Sequence, residues 1–289
     1  MRRFALLSLV LACGACGGDD GAPIDRPRTF GGARPVELQI PTAFDDGQRY
    51  PLLVILHGYG ATAFLQQSYF HLFDAPDAFE TLVLAPEGTT DADGSQFWNA
   101  DLTCCDQNGA GIDDVGYLGG LIDDVIATWP VDPARVTVIG HSNGAFMAYR
   151  LACARADVVT AIAGLAGHAV VGVPCAPADP VSVLHLHGNA DETVPYDSGT
   201  FSGVESPGAI ASVAQWATRN GCTGAPTAAG TKDLETALPG AETTVTVTGG
   251  CPTAGAADLW TIAGGTHIPS LSATFPAEVM AWSAAHPRR

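Results

Sequence analysis

Basic residues are scarce in this chain: 13 lysines and arginines face 30 aspartates and glutamates, a formal charge of −17, and only 15% of the 289 residues are charged at all. A surface of that sign repels phosphate, which argues against a nucleic-acid partner and disfavours adsorption to anionic membrane surfaces. Long apolar runs are lacking as well. The run Phe4 to Ala12 falls far short of the roughly 20 residues that cross a bilayer, so no transmembrane helix is expected. No internal repeat is visible, and the 34 glycines and 20 prolines follow no short period, which excludes a fibrous chain. Apolar side chains, by contrast, are plentiful. At 47% of the residues they suffice for a large buried core and rule out disorder as the overall state.

The first residues read as an export signal. Met1-Arg2-Arg3 supplies the positive start, Phe4 to Ala12 the apolar stretch, and small residues with Cys13 and Cys16 follow. Val10-Leu11-Ala12-Cys13 resembles a lipoprotein signal in which the cysteine is lipidated after cleavage, with Cys16 as the competing site and an ordinary cleaved signal as the alternative. We therefore expect residues 1–16 to be the signal, 17–35 a flexible tether, and 36–289 a single domain. The protein would be exported, as a periplasmic or cell-surface lipoprotein or in secreted form, and would meet a membrane only through its lipid. Cys104, Cys105, Cys153, Cys175, Cys222 and Cys251 remain, an even number that in an exported chain implies disulfides. Order along the chain favours Cys153 with Cys175 and Cys222 with Cys251, leaving Cys104 and Cys105 for a vicinal bridge of unusual geometry. A zinc site is disfavoured, because these six offer no Cys-x-x-Cys pair with nearby histidines to make up four ligands.

Leu52 to Leu56 is apolar without alternation, the mark of a strand covered on both faces. The pattern recurs at Leu82 to Ala85, Val136 to Ile139, Ala161 to Leu165, Val181 to Leu186 and Leu259 to Ile262. Helical stretches lie between, at Thr62 to Phe70, Asp113 to Trp129, Gly144 to Arg155 and Ala209 to Arg219. Alternation of this kind predicts an α/β protein with a mainly parallel, twisted sheet. Val36 to Ile40 is expected to pair with the strand at Tyr50 through a turn at Asp45-Asp46-Gly47, and Gly221 to Gly255 reads as an irregular insertion.

Val136 to Arg150 runs strand, then Gly140-His141-Ser142-Asn143-Gly144, then helix: a Gly-x-Ser-x-Gly elbow in the context that lifts a serine above a sheet. Ser142 is the candidate nucleophile, and it needs a base. With the chain order serine, acid, histidine that goes with such an elbow, Asp191 is the candidate acid, in the loop directly after the strand ending at Leu186, with Glu192 and Asp197 as rivals. His267, in a glycine-rich loop after the last strand, is the candidate base, whereas His286 lies in the terminal tail. An oxyanion would need two backbone N–H donors: Asn143 supplies one, and the loop His57-Gly58-Tyr59-Gly60 the other, with Tyr59 preferred and Gly60 second. His57 is read as a loop-holding residue, and His185 and His187 as packing or loop-ordering residues. Trp98 and Trp216 could line an acyl pocket or serve packing.

These motifs together resemble the α/β-hydrolase group that holds polyhydroxybutyrate depolymerase-like proteins and the feruloyl and acetyl xylan esterases of carbohydrate esterase family 1. Trp98, Cys104-Cys105, Asp113 to Tyr117 and Asn220-Gly221-Cys222 share in the likeness, which extends from Val36 to about Trp282. The resemblance implies an α/β-hydrolase fold and a carboxylic-ester hydrolase that uses Ser142, Asp191 and His267, with oxyanion donors at Tyr59 and Asn143 and no cofactor. Members commonly carry Thr-Trp-Pro after the histidine, so Ile268 stands where an aromatic substrate contact would be expected. The chain ends soon after His267, which leaves no room for a polymer-binding module and favours feruloyl or acetyl esters on plant polysaccharide, or short hydroxyalkanoate oligoesters, over crystalline polyester. A non-catalytic binding lipoprotein on the same fold and a serine peptidase are the alternatives.

Overall fold

Runs of β-branched and leucine residues become the strands of one eight-stranded sheet. The structure, a computed structural model, describes residues 26–106 and 109–288. The strands of this sheet are β1 (Tyr50–Leu56), β2 (Leu82–Leu84), β3 (Val131–His141), β4 (Ala161–Leu165), β5 (Ser182–Gly188), β6 (Pro226–Lys232), β7 (Thr243–Thr248) and β8 (Ala257–Ile262). Across the sheet they run β6-β7-β8-β5-β4-β3-β1-β2. From β2 through β8 the neighbours are parallel, and only β7 and β6 join antiparallel at one edge.

Both faces are covered, which is why the central strands do not alternate. On β1, Leu52, Val54 and Leu56 point into one core layer, where Leu118, Phe146, Leu151 and Trp216 arrive from α3 (Asp114–Thr128), α4 (Asn143–Ala154) and α5 (Gly208–Arg219). Leu53 and Ile55 point into the other, against Phe70 and α6 (Phe275–Ala285), which contributes Phe275, Val279 and Trp282. Two shorter helices, α1 (Ala63–Tyr69) and α2 (Ala75–Ala78), follow β1. Asp113 caps α3, its carboxylate accepting from the Gly116 N–H at 2.8 Å.

Three sequence expectations need correction. Val36–Glu37 pairs with Thr29–Phe30, and Gln39 bridges to Val83. No hairpin with β1 forms, because β1 already has β2 and β3 on its two edges. The stretch Gly221 to Gly255 is not irregular: it contains β6 and β7, which extend the sheet, and Cys222–Cys251 closes it. Residues 26–35, expected as part of a flexible tether, lie on the body. Phe30 is buried, Trp129 donates its indole N–H to the Pro27 carbonyl at 2.8 Å, and Arg34 pairs with the buried Asp114 at 2.7 Å while lying over the Tyr117 ring. The signal region with Cys13 and Cys16 lies outside the described residues. The remaining cysteines pair as Cys104–Cys105, Cys153–Cys175 and Cys222–Cys251. No described helix is long and apolar enough to cross a membrane.

Candidate active site

The turn from β3 into α4 is forced by two glycines. A Cβ on Gly140 would run into the Gly144 carbonyl, and one on Gly144 into the carbonyl of Leu56 on the neighbouring strand. Between them Ser142 takes φ 53° and ψ −120°, a conformation that L-residues rarely hold and that presents its hydroxyl at the N-terminus of α4.

The loops after β5 and β8 bring the other two residues to it. His267 Nε2 lies 2.9 Å from Ser142 Oγ, and His267 Nδ1 lies 2.8 Å from Asp191 Oδ2. Since a carboxylate cannot donate, Nδ1 carries the hydrogen and Nε2 is free to accept the serine proton. Asp191 Oδ1 accepts the backbone N–H groups of Thr193 at 2.8 Å and Val194 at 2.9 Å, and Oδ2 also lies 3.2 Å from His187 Nε2. Burial pushes this carboxyl up, but the hydrogen bonds from His187 and His267 outweigh it and hold Asp191 well below the usual carboxylate range. The rivals Glu192 and Asp197 make no such contacts: Glu192 is exposed, and neither bonds His267.

His141, next to the serine, donates from Nε2 to the His267 carbonyl at 2.8 Å and so pins the histidine loop. Burial pushes its pKa down to about 4, so the ring is a neutral donor. The oxyanion loop is tied down equally firmly. His57 Nδ1 donates to the Gly58 carbonyl at 2.8 Å and its Nε2 accepts the Gly88 N–H at 2.9 Å, the loop-holding part expected of it. Gly58 N–H bonds Gln66, and Gly60 N–H donates to the Gln96 carbonyl at 2.8 Å. Gly60 is thereby spent as an oxyanion donor. The N–H groups of Tyr59 and Asn143 donate to no described group, which leaves them available.

A cavity of about 440 Å³ opens beside Ser142, lined by Tyr59, the Cys104–Cys105 bridge, Phe146, Val194 and Phe201. That size is ordinary for a small-ligand site. Trp98, for which pocket lining and packing were both open, is wholly buried and does not reach the cavity. Its indole N–H donates instead to the His57 carbonyl at 3.0 Å, so it braces the oxyanion loop. Trp216 is wholly buried too. Ile268 is 63% exposed beside His267 but is not part of the cavity wall.

Sequence reasoning missed the Asn143 side chain. Its Oδ1 accepts the Trp98 N–H at 2.7 Å, its Nδ2 donates to the Trp98 carbonyl at 2.8 Å, and Nδ2 also faces Cys104 Sγ at 3.4 Å. The amide thus clamps the disulfide-bearing wall to the elbow. Asp101 orders the same wall, accepting from Thr103, Cys104 and Val171. Among the described residues no group of three or more His, Cys, Asp or Glu side chains is placed to hold a metal ion.

Comparison with known proteins supplies a family. The family model described as Phospholipase/Carboxylesterase matches residues 43–203, from the segment before β1 through the elbow and the Asp191 loop. The chain belongs to the phospholipase/carboxylesterase family. Its fold is that of the α/β-hydrolases. Acetyl xylan esterase from Aspergillus awamori superposes with a TM-score of 0.57 over 87% of this chain and 94% of that one, at 13% identity, a likeness of fold. Feruloyl esterase B of Piromyces equi is 31% identical over 202 residues, covering 67% of this chain but 37% of that protein, so the chain spans little more than a third of that relative's length. Feruloyl esterase C of Emericella nidulans is 28% identical over 214 residues, covering 69% of this chain and 73% of that one. These relatives are named for ester hydrolysis, the chemistry that this arrangement of serine, histidine and carboxylate can perform.

Proposed function

We propose that the protein is a serine esterase that hydrolyses carboxylic esters through an acyl-enzyme. The observation that carries the proposal is the hydrogen-bond relay from Asp191 Oδ2 to His267 Nδ1 and from His267 Nε2 to Ser142 Oγ, at 2.8 and 2.9 Å, ending on a serine held at an elbow beside two available N–H groups. Ser142 Oγ attacks the ester carbon as its proton passes to His267 Nε2. The oxyanion lies against the N–H groups of Tyr59 and Asn143. Collapse breaks the bond to the alcohol, which takes the proton from His267 and leaves an acyl group on Ser142. Water then gives a proton to His267 Nε2 and attacks the acyl carbon, and the acid departs as the proton returns to Ser142 Oγ. Asp191 orients the imidazole and stabilises its cation throughout.

The substrate class we favour is a feruloyl or acetyl ester on polysaccharide, or a short hydroxyalkanoate oligoester. The names of the relatives support the first two, and the aromatic wall formed by Phe146 and Phe201, stacked at 5.7 Å, suits a planar acyl group. Export, with or without lipidation at Cys13 or Cys16, is supported by three disulfides, which persist in oxidising compartments. The test is a panel of methyl ferulate, p-nitrophenyl acetate and a hydroxybutyrate dimer with the wild type and Ser142→Ala. Hydrolysis of at least one ester is expected to disappear in the variant while its circular dichroism stays unchanged. Hydrolysis that survives Ser142→Ala would overturn the proposal.

A further inference from the structure

Behind Asp191, away from the cavity, three buried polar side chains are linked in series. Tyr149 Oη lies 2.7 Å from His185 Nδ1, His185 Nε2 lies 3.0 Å from His187 Nδ1, and His187 Nε2 lies 2.9 Å from the Val194 carbonyl and 3.2 Å from Asp191 Oδ2. All three residues have 0% exposure. Histidines in such a place are costly unless every ring nitrogen is matched, and here the hydrogens can be assigned one by one.

A carbonyl and a carboxylate only accept, so His187 Nε2 carries a hydrogen. With that ring neutral, its Nδ1 is bare and receives the hydrogen of His185 Nε2. His185 Nδ1 is then bare and receives the Tyr149 hydroxyl hydrogen. Reversing the chain by adding a proton to His187 would turn His185 Nδ1 into a donor and leave the Tyr149 hydrogen without an acceptor, since His185 is the one hydrogen-bond partner of Tyr149 Oη among the described residues. Burial acts in the same direction, lowering the pKa of His185 and raising that of Tyr149, so both stay neutral. The chain therefore has a single polarity, and its free end is the carboxylate.

We propose that His187 is a positioning residue for Asp191: backed by His185 and Tyr149, it fixes the direction in which Oδ2 faces His267 Nδ1. This rests on the reading of Asp191 as the acid of the triad. Oδ1 is held by two backbone N–H groups of the same loop, which set the carboxylate's hinge, whereas among the described residues Oδ2 has only the two histidines. Because one nitrogen of His187 reaches both Asp191 and the Val194 carbonyl, it ties both ends of the loop to β5. Partners that hold a metal ligand from behind typically cost about 10- to 100-fold when removed, and the same order is expected of one that holds a catalytic carboxylate.

The discriminating variants are His187→Gln, whose amide nitrogen can stand where Nε2 stands, and His187→Asn, whose shorter amide reaches only the Nδ1 position. With an ester that the wild type hydrolyses, His187→Asn is expected to lower kcat about 10- to 100-fold with KM within about threefold, and His187→Gln to remain within about fivefold of the wild type. In an Asp191→Asn background, His187→Asn is expected to add little, because it acts through the carboxylate. Equal losses in the two single variants, or an undiminished loss on top of Asp191→Asn, would overturn the proposal. Should His187→Asn fail to fold, Tyr149→Phe decides: a fall in kcat of about two- to fivefold at unchanged KM supports the chain, and full kcat overturns it. Full activity of Asp191→Asn itself would instead overturn the triad reading, so the two failures are distinguishable.

Discussion

His141 ties the nucleophile's turn to the histidine loop and should also set how the protein's stability responds to acid. Its ring is 7% exposed, and burial pushes its pKa from 6.5 down to about 4. The unfolded chain therefore takes up a proton below about pH 6.5 that the folded protein accepts only near pH 4. Stability contributed by the neutral ring is complete above that window and is lost as the pH falls through it. With these two values the loss between pH 7.5 and pH 5 comes to about 2 kcal/mol from this one side chain. His141→Gln keeps an amide nitrogen near the position of Nε2, and so a donor for the His267 carbonyl, but cannot titrate. Urea unfolding of both proteins at the two pH values gives the comparison. The other buried histidines with lowered pKa values, His57, His168 and His185, are present in both proteins and cancel in the difference. We expect the wild type to lose about 2 kcal/mol more than the variant. Parallel losses would refute the reasoning, because they would mean that His141 titrates alike in the folded and unfolded chains.

Other perturbations test separate parts of the site. Asp191→Asn should leave the fold intact and lower kcat by about 10⁴-fold, since the amide no longer holds His267 in the tautomer that accepts the serine proton; steady-state kinetics on an activated ester measure this. Asn143→Ala removes both partners of the buried Trp98 backbone and should cost about 2 kcal/mol or more, read from the urea midpoint, while the backbone N–H at position 143 persists. Phe201→Ala opens the aromatic wall and should lower kcat/KM for methyl ferulate about fivefold more than for p-nitrophenyl acetate, because an acetyl group has little surface to lose against that ring.

The parts of this protein that were legible in its sequence are those where local chemistry is specific. Gly140 and Gly144 are read from the sequence because nothing larger fits the turn, and the apolar runs of β1, β4 and β5 because both of their faces are buried. Asp191 and His267 follow from strand ends and chain order. The antiparallel strands β6 and β7 were hidden because Gly, Thr and Ala carry little hydrophobic contrast, and β6, at the edge, is nearly all exposed. Helix α6 left a usable signal in Phe275, Val279 and Trp282, whose spacing puts them on one face, but the intervening alanines and Met280 blur it. Trp98 was left open because an indole suits a pocket wall and a brace equally well, and only its burial and its bond to the His57 carbonyl decide. The Asn143 clamp on Trp98 and the bond from Tyr149 to His185 join residues 45 and 36 positions apart, so no local pattern announces them.

The central claim is that Ser142 is the nucleophile, and covalent capture tests it most directly. After treatment with a fluorophosphonate, peptide mass spectrometry should find the adduct on Ser142 alone, with labelling abolished in Ser142→Ala and strongly slowed in His267→Ala. No adduct on the folded wild type, or an adduct on another residue that persists in Ser142→Ala, would contradict the account.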